Sequence, residues 1–178
     1  MPNQPREHLH ISAIEGFVPE IGRAIWMLED TRTDTGRRLE GIAPEVIDWR
    51  PPVGNSIGTL LYHIAIIEMD WVFNEVMEQK MPSTIWDSFP FPVRDEATGR
   101  LTVVRGISLD AHFKRLDFTR RVLLDVFQHM SLEDFRRLRA APRYDVTPAW
   151  VIHHLIQHEA EHRGEIATIR SLAETSLG

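Results

Sequence analysis

The stretch TPAWVIHHLIQHEAEHRG, from Thr147 to Gly164, decides the fold and raises the question of function. Thr147 followed by Pro148 predicts a helix start, because threonine caps a helix and proline suits the first helical position. The apolar residues that follow recur with a helical period, so the helix is predicted to run to about Leu172. A long C-terminal helix therefore carries whatever chemistry this stretch supports.

Three histidines of the stretch, His154, His158 and His162, are spaced four residues apart. Four residues advance an α-helix by about 400°, so successive rings lie about 40° apart on one face. Two such imidazoles can ligate one metal ion, and we predict His158 and His162 as ligands. His154 is predicted as a fourth ligand, a hydrogen-bonding group behind the ligands, or a proton shuttle. His153 points about 100° away and is predicted to be structural or exposed.

A third ligand has to come from elsewhere in the chain, and His63 is the best candidate. It lies in the apolar stretch 60–65, within a second predicted helix from Ser56 to about Glu78. The helical period turns it inward, and a buried imidazole needs a polar partner. A metal shared with His158 and His162 would be such a partner. A hydrogen-bonded core histidine without metal is the alternative.

His158 to His162 also matches H-E-x-x-H, in which two histidines bind zinc and the Glu, here Glu159, activates water. The remaining parts of a zinc protease are missing. No histidine follows His162, only Glu165 and Glu174 follow as acids, and little strand is available to hold a peptide. A metalloprotease is thus a minor alternative. Glu159 is a candidate catalytic base, an orienting group for a ligand histidine, or part of a surface salt bridge.

Helical periodicity elsewhere predicts an all-α four-helix bundle formed as a single domain over residues 1–178. Besides the last helix, it predicts helices from about Pro19 to Leu39, from Ser56, from Ser108 and, briefly, from Ser131.

A long crossover from Lys80 to Gly106 separates the second and third long helices, with a short β-like piece at 101–104. Its aromatic residues Trp86, Phe89 and Phe91 are candidates to line a pocket, since long ordered loops often cover binding sites. A simple packed connection is equally consistent with the sequence.

Composition limits the function further. The 178 residues carry a formal net charge of −6 without a basic run, which argues against nucleic-acid binding. Apolar runs are too short to cross a membrane and no signal peptide is visible, so we expect a cytoplasmic protein. No cysteine is present, so a metal must be held by His, Asp or Glu. Among the nine histidines, His8, His10, His112 and His129 are predicted to be structural or in the N-terminal tail.

The motifs resemble the DinB/YfiT-like family. His63 stands in a G-x-L-L-x-H-I context followed by Glu68 and Trp71, and the C-terminal signature is HEAEHRGEI over residues 158–166. The resemblance extends from the first helix to the last. Glu165 stands where many members carry Gln.

The resemblance implies an up-down-down-up four-helix bundle with a long crossover between helices 2 and 3. It implies a divalent metal, most often zinc or nickel, held by His63, His158 and His162, and frequent homodimers. Relatives include thiol S-transferases that use bacillithiol or mycothiol and a mycothiol-dependent maleylpyruvate isomerase.

These observations predict a metal-dependent enzyme of thiol S-transferase or hydrolase type, acting on a small molecule with a low-molecular-weight thiol as a possible cosubstrate. The alternative is a non-catalytic metal-binding or stress-related protein. Arg163 is expected to pair with a carboxylate of the fold or to contact an anionic substrate in the pocket. Gly164, inside a helix, is expected to allow close packing against another helix.

Overall fold

The computed structural model describes residues 8–178, and its regular structure is helical apart from two strands of two residues each. In chain order the elements are α1 (Pro19–Leu39), α2 (Pro44–Asp48), α3 (Ile57–Asp70), a π-helix (Trp71–Val76), α4 (Ser83–Trp86), α5 (Leu109–Gln128), α6 (Leu132–Arg136), β1 (Arg139–Ala140), β2 (Asp145–Val146) and α7 (Pro148–Leu177). The all-α prediction is confirmed, and α1 has the predicted bounds.

Four helices begin where capping residues predict. In each case the side-chain oxygen accepts a hydrogen bond from the backbone N–H three residues later, which satisfies a donor that the helix itself cannot. The caps are Ser56, Ser108, Ser131 and Thr147. The last helix ends five residues beyond the predicted Leu172.

The long helices α1, α3, α5 and α7 form the bundle. Helices α1 and α7 run parallel, because Arg163 contacts the Thr31 carbonyl while Arg170, further along α7, contacts the carbonyl of Glu40 beyond the end of α1. Helices α3 and α7 run antiparallel: His63 lies against His158 and Trp71 lies nearer the start of α7.

Helices α3 and α5 run parallel to each other. Gly58 near the start of α3 lies against His112 near the start of α5, and Glu68 further along α3 pairs with Arg120 further along α5. The order is therefore up-down-down-up. Two consecutive parallel helices need a connection that returns along the full length of the bundle, which explains the long crossover.

Tyr62 of α3 fixes the crossover to the bundle. Its hydroxyl donates to the Phe91 carbonyl at 2.6 Å and accepts from the Phe91 N–H at 3.0 Å. The rings of Phe89 and Phe91 pack edge-on against the Tyr62 ring. The β-like piece expected at 101–104 is reduced to one isolated bridge between Arg94 and Leu101.

Four features were not predicted: α2, α4, the β1–β2 ribbon and the π-helix that continues α3. In the π-helix the Met77 N–H bonds to the Val72 carbonyl, five residues back, which widens the turn and re-aims the side chains it carries. Glu78 ends the segment with a left-handed φ of 54°. Over the described residues, the helices are all too short or too polar to cross a membrane.

Candidate metal centre

Three imidazoles meet between α3 and α7. His63 comes from α3, and His158 and His162 come from successive turns of α7. One ring nitrogen of each lies within 4.8 Å of the others, and Nε2 of His63 is 3.2 Å from Nε2 of His158. The sequence singled out the same three side chains.

The arrangement fits a metal ion. Bonds of about 2.0–2.1 Å at tetrahedral angles place neighbouring nitrogen donors about 3.3 Å apart, close to the separation between His63 and His158. Nε2 of His63 faces the other two rings, while its buried Nδ1 has no hydrogen-bond partner and so lacks the contact that usually orients a ligand histidine. With three histidines as donors, a fourth coordination position stays open, as in catalytic zinc sites.

The surroundings keep these rings neutral, which is the form that binds metal. Burial, reinforced by the nearby charges of His162 and Arg94, lowers the pKa of His63 to about 4. Burial and the neighbouring histidines, His162 first among them, lower the pKa of His158 to about 3. Both imidazoles are therefore unprotonated at neutral pH.

Glu165 orients the third ring. Its Oε2 lies 3.2 Å from Nδ1 of His162, so an Nδ1–H donates to the carboxylate and Nε2 is left for a metal. The other carboxylate oxygen accepts from the Asn55 amide at 3.3 Å. Such carboxylate–histidine pairs fix ring orientation in metal sites. This pair was not predicted from the sequence, although the i, i+3 spacing of His162 and Glu165 on one helix could have indicated it.

The DinB superfamily model matches residues 27–166. The chain belongs to the DinB superfamily. A crystal structure of a conserved protein from Enterococcus faecalis is similar, with a TM-score of 0.64 and 14% identity over 85% of this chain and 95% of that chain. At that identity the likeness concerns the fold alone. Comparison with the curated proteins gives no match.

In this DinB-superfamily protein, Glu159 lies in a buried ion-pair network. Its Oε1 accepts from Arg32 at 2.8 Å and its Oε2 from Arg120 at 3.4 Å. The same two arginines contact Glu68, and Arg120 also reaches Glu29. The surface salt bridge expected for Glu159 is thus a buried one. Both carboxylate oxygens of Glu159 are engaged by arginines. Glu159 is therefore not placed to act as a base on a molecule bound at the three histidines.

His154 lies one turn before His158 but outside the group of three donors. Its ring stacks on Trp150, with centroids 5.2 Å apart and planes 5° from parallel, and it also packs against Trp71. Burial lowers the pKa of His154. Its centroid is 5.9 Å from that of His158. His154 is therefore an aromatic neighbour of the centre, while His153 is exposed as predicted.

The aromatic residues expected to line a pocket do not line one together. Phe89, which is buried in the core, and Phe91 both pack on Tyr62. Trp86 lies apart from them and is 43% exposed beside a separate surface depression. Arg163 pairs with Asp34 of α1, which is the structural pairing expected for it.

The prediction that Gly164 allows close packing against another helix is wrong. A Cβ at this position would meet no atom within 4 Å, so no neighbouring helix requires a glycine there. His112 is buried beside Gly58, and His129 is exposed, where its ring lies against the Asp125 carbonyl at the end of α5. His8 and His10 are also exposed.

Proposed function

We propose that this DinB-superfamily protein is a metal-dependent enzyme of thiol S-transferase or hydrolase type. The observation that carries the proposal is the convergence of the ring nitrogens of His63, His158 and His162 between two helices. Three such donors suit divalent zinc, nickel, iron or copper, and the family resemblance favours zinc or nickel among these.

A metal in an open three-histidine site supplies acid–base chemistry. An ion held by His63, His158 and His162 would supply the acidity that turns a bound water or thiol into its anion near neutral pH. The chain has no cysteine, so an attacking thiolate has to arrive on a cosubstrate. The three histidines would hold the ion. Glu165 would orient His162, and burial would keep His63 and His158 unprotonated.

Metal content tests the first part of the proposal. Purified protein is expected to carry about one divalent ion per chain by elemental analysis, and His63→Ala and His158→Ala are expected to lose it. His153→Ala, an exposed histidine of the same helix, is the matched control and keeps the metal. Equal metal content in the wild type and all three variants, or no metal in any of them, would contradict the proposed three-histidine site.

Turnover tests the second part. Metal-loaded protein is incubated with a panel of low-molecular-weight thiols and monochlorobimane, and separately with simple esters. Metal-dependent product that His158→Ala does not form supports an enzyme. Stoichiometric metal without turnover on any of these substrates supports the alternative, a non-catalytic metal-binding or stress-related protein.

The proposal extends to a homodimer that acts on a small molecule in the cytoplasm. Light scattering after size-exclusion chromatography is expected to give twice the mass of one chain. A monomer at micromolar concentration would contradict this part alone and leave the metal centre untouched.

A further inference from the structure

An open cavity of about 560 Å³ lies between the π-helix, the β1–β2 ribbon and the first turn of α7. Rings of Trp71, Tyr144 and Trp150 line it. Its volume falls in the range of about 300–1,000 Å³ that small-molecule sites occupy. Leu138, Tyr144 and Trp150 are 63%, 44% and 47% exposed, and together they form an apolar patch of the kind that marks binding surfaces.

The rings are held in place before any ligand arrives. Trp71 begins the π-helix, and its ring lies 24° from parallel to Tyr144 and 5.5 Å from the ring of Trp150. The Tyr144 hydroxyl donates to Glu75 at 2.8 Å. Binding on such a surface orders few side chains, so little conformational entropy is lost.

The cavity adjoins the three-histidine centre through His154. Trp150, His154 and His158 succeed each other at four-residue intervals on one face of α7, and their ring centroids are 5.2 Å and 5.9 Å apart. Eight residues of helix separate Trp150 from His158 by about 12 Å. One elongated molecule can therefore reach from the cavity to the metal donors.

The charges at the cavity disfavour an anion. Asp145 lines it directly, and the carboxylate of Glu75 lies against the Tyr144 hydroxyl. Flat aromatic surfaces bind a ring by stacking and edge contacts. The cavity is thus suited to an aromatic group that carries no negative charge.

We propose that this cavity binds the uncharged aromatic part of a substrate whose reacting group lies at His63, His158 and His162. The substrate class is a molecule with a flat ring about 12 Å from a metal-binding group. This inference rests on the proposed metal centre. A second copy of the chain is the competing occupant of the patch, but it would not explain the row of rings that leads to His158.

Two hydroxamic acids test the inference by calorimetric titration of zinc-loaded protein. Acetohydroxamic acid has only the metal-binding head, and its ω-phenylhexanoyl counterpart adds a spacer and a phenyl ring. The phenyl compound is expected to bind at least about tenfold more tightly. His158→Ala is expected to bind neither.

Trp150→Ala is expected to remove the advantage of the phenyl compound while acetohydroxamic acid binds as to the wild type. Trp86→Ala, an exposed tryptophan outside the cavity, is expected to keep the advantage. Circular dichroism checks folding, and Tyr144→Ala replaces Trp150→Ala if the latter does not fold.

Equal binding of the two compounds to the wild type would overturn the cavity assignment and leave the metal centre standing. Failure of the wild type to take up zinc would overturn both. Loss of a dimer in Trp150→Ala, with no phenyl advantage in the wild type, would assign the patch to contact between copies.

Discussion

His63 and His158 place their Nε2 atoms 3.2 Å apart in a buried setting that opposes their protonation. Two imidazolium ions could not share this space. The same features that prepare the rings for a metal therefore make the metal-free protein sensitive to acid.

Lowering the pH is expected to destabilise the metal-free protein. The pKa of His63 is about 4 when folded and 6.5 as its ordinary value, so the unfolded chain binds more protons between these limits. Stability is full above pH 6.5 and falls towards pH 4, by up to about 1.4 kcal/mol per pH unit for this histidine. Urea denaturation of chelator-treated protein at pH 7, 6 and 5 measures the slope.

His63→Gln is expected to reduce that slope by up to about 1.4 kcal/mol per pH unit, because one of the residues that take up a proton on unfolding is gone. His158 and the buried His112, whose pKa is also lowered to about 4, account for the slope that remains. His153→Gln, an exposed control on α7, is expected to leave it unchanged. A slope that is the same in all three proteins would show that protonation of His63 does not limit stability.

The Glu165–His162 pair predicts a graded effect on metal affinity. Glu165→Ala removes the acceptor of the Nδ1–H and is expected to weaken zinc binding about 10–100-fold. Glu165→Gln keeps an acceptor oxygen and is expected to weaken it less. Competition with a chromophoric chelator gives the affinities. Glu161→Ala, an exposed acid of the same helix, should match the wild type, and an equal loss there would remove the specific role of Glu165.

At the scale of elements, the buried ion-pair network joins all four bundle helices. Arg32 comes from α1, Glu68 from α3, Arg120 from α5 and Glu159 from α7. Burial would raise the pKa of Glu68, but Arg120 and Arg32 more than offset this and hold it below its usual value. We expect the network to favour one register of the four helices, since its contacts are directional.

Removing one member of the network is expected to be severe. Glu159→Ala leaves the buried Arg120 and Arg32 short of an acceptor and should lower the free energy of unfolding by about 3–5 kcal/mol. Glu174→Ala, which breaks an exposed pair with Arg170, should cost less than about 1 kcal/mol. Urea titrations at pH 7 compare the two. A small decrease in the free energy of unfolding for Glu159→Ala would mean that the network contributes little to holding the helices together.

The sequence predicts elements well where the signal is local. Ser56, Ser108 and Thr147 start helices through their own side chains, and the four-residue spacing of His158 and His162 is a property of one helix. The network of Glu159 depends on arginines from two other helices, so no local pattern reveals it. The β1–β2 ribbon and the π-helix are likewise set by packing around α7, and periodicity alone does not specify them.

At the scale of the whole molecule, the parallel pair α3 and α5 makes the crossover a structural necessity, and Tyr62 attaches it. The family motifs predict the fold topology. No pattern in the sequence predicts that Tyr62 attaches the crossover, because this contact depends on the folded structure.

Tyr62→Phe is expected to loosen the crossover without unfolding the bundle. The Phe91 N–H loses its acceptor and the Phe91 carbonyl its donor, at a cost of about 1–3 kcal/mol. Hydrogen exchange at the Phe91 amide should become faster, while amides within α3 and α5 stay protected. Tyr144→Phe serves as a control at a distant hydroxyl, and unchanged exchange at Phe91 in Tyr62→Phe would contradict the attachment.

The contact between His63 and His158 joins positions 95 residues apart in the chain. An ion bound there would act as a removable cross-link, since closing so long a loop removes much of the freedom of the unfolded chain. Proteases act on transiently opened protein, so the metal-free form would be degraded faster than the loaded one. The cellular lifetime of the protein would then follow the supply of its metal.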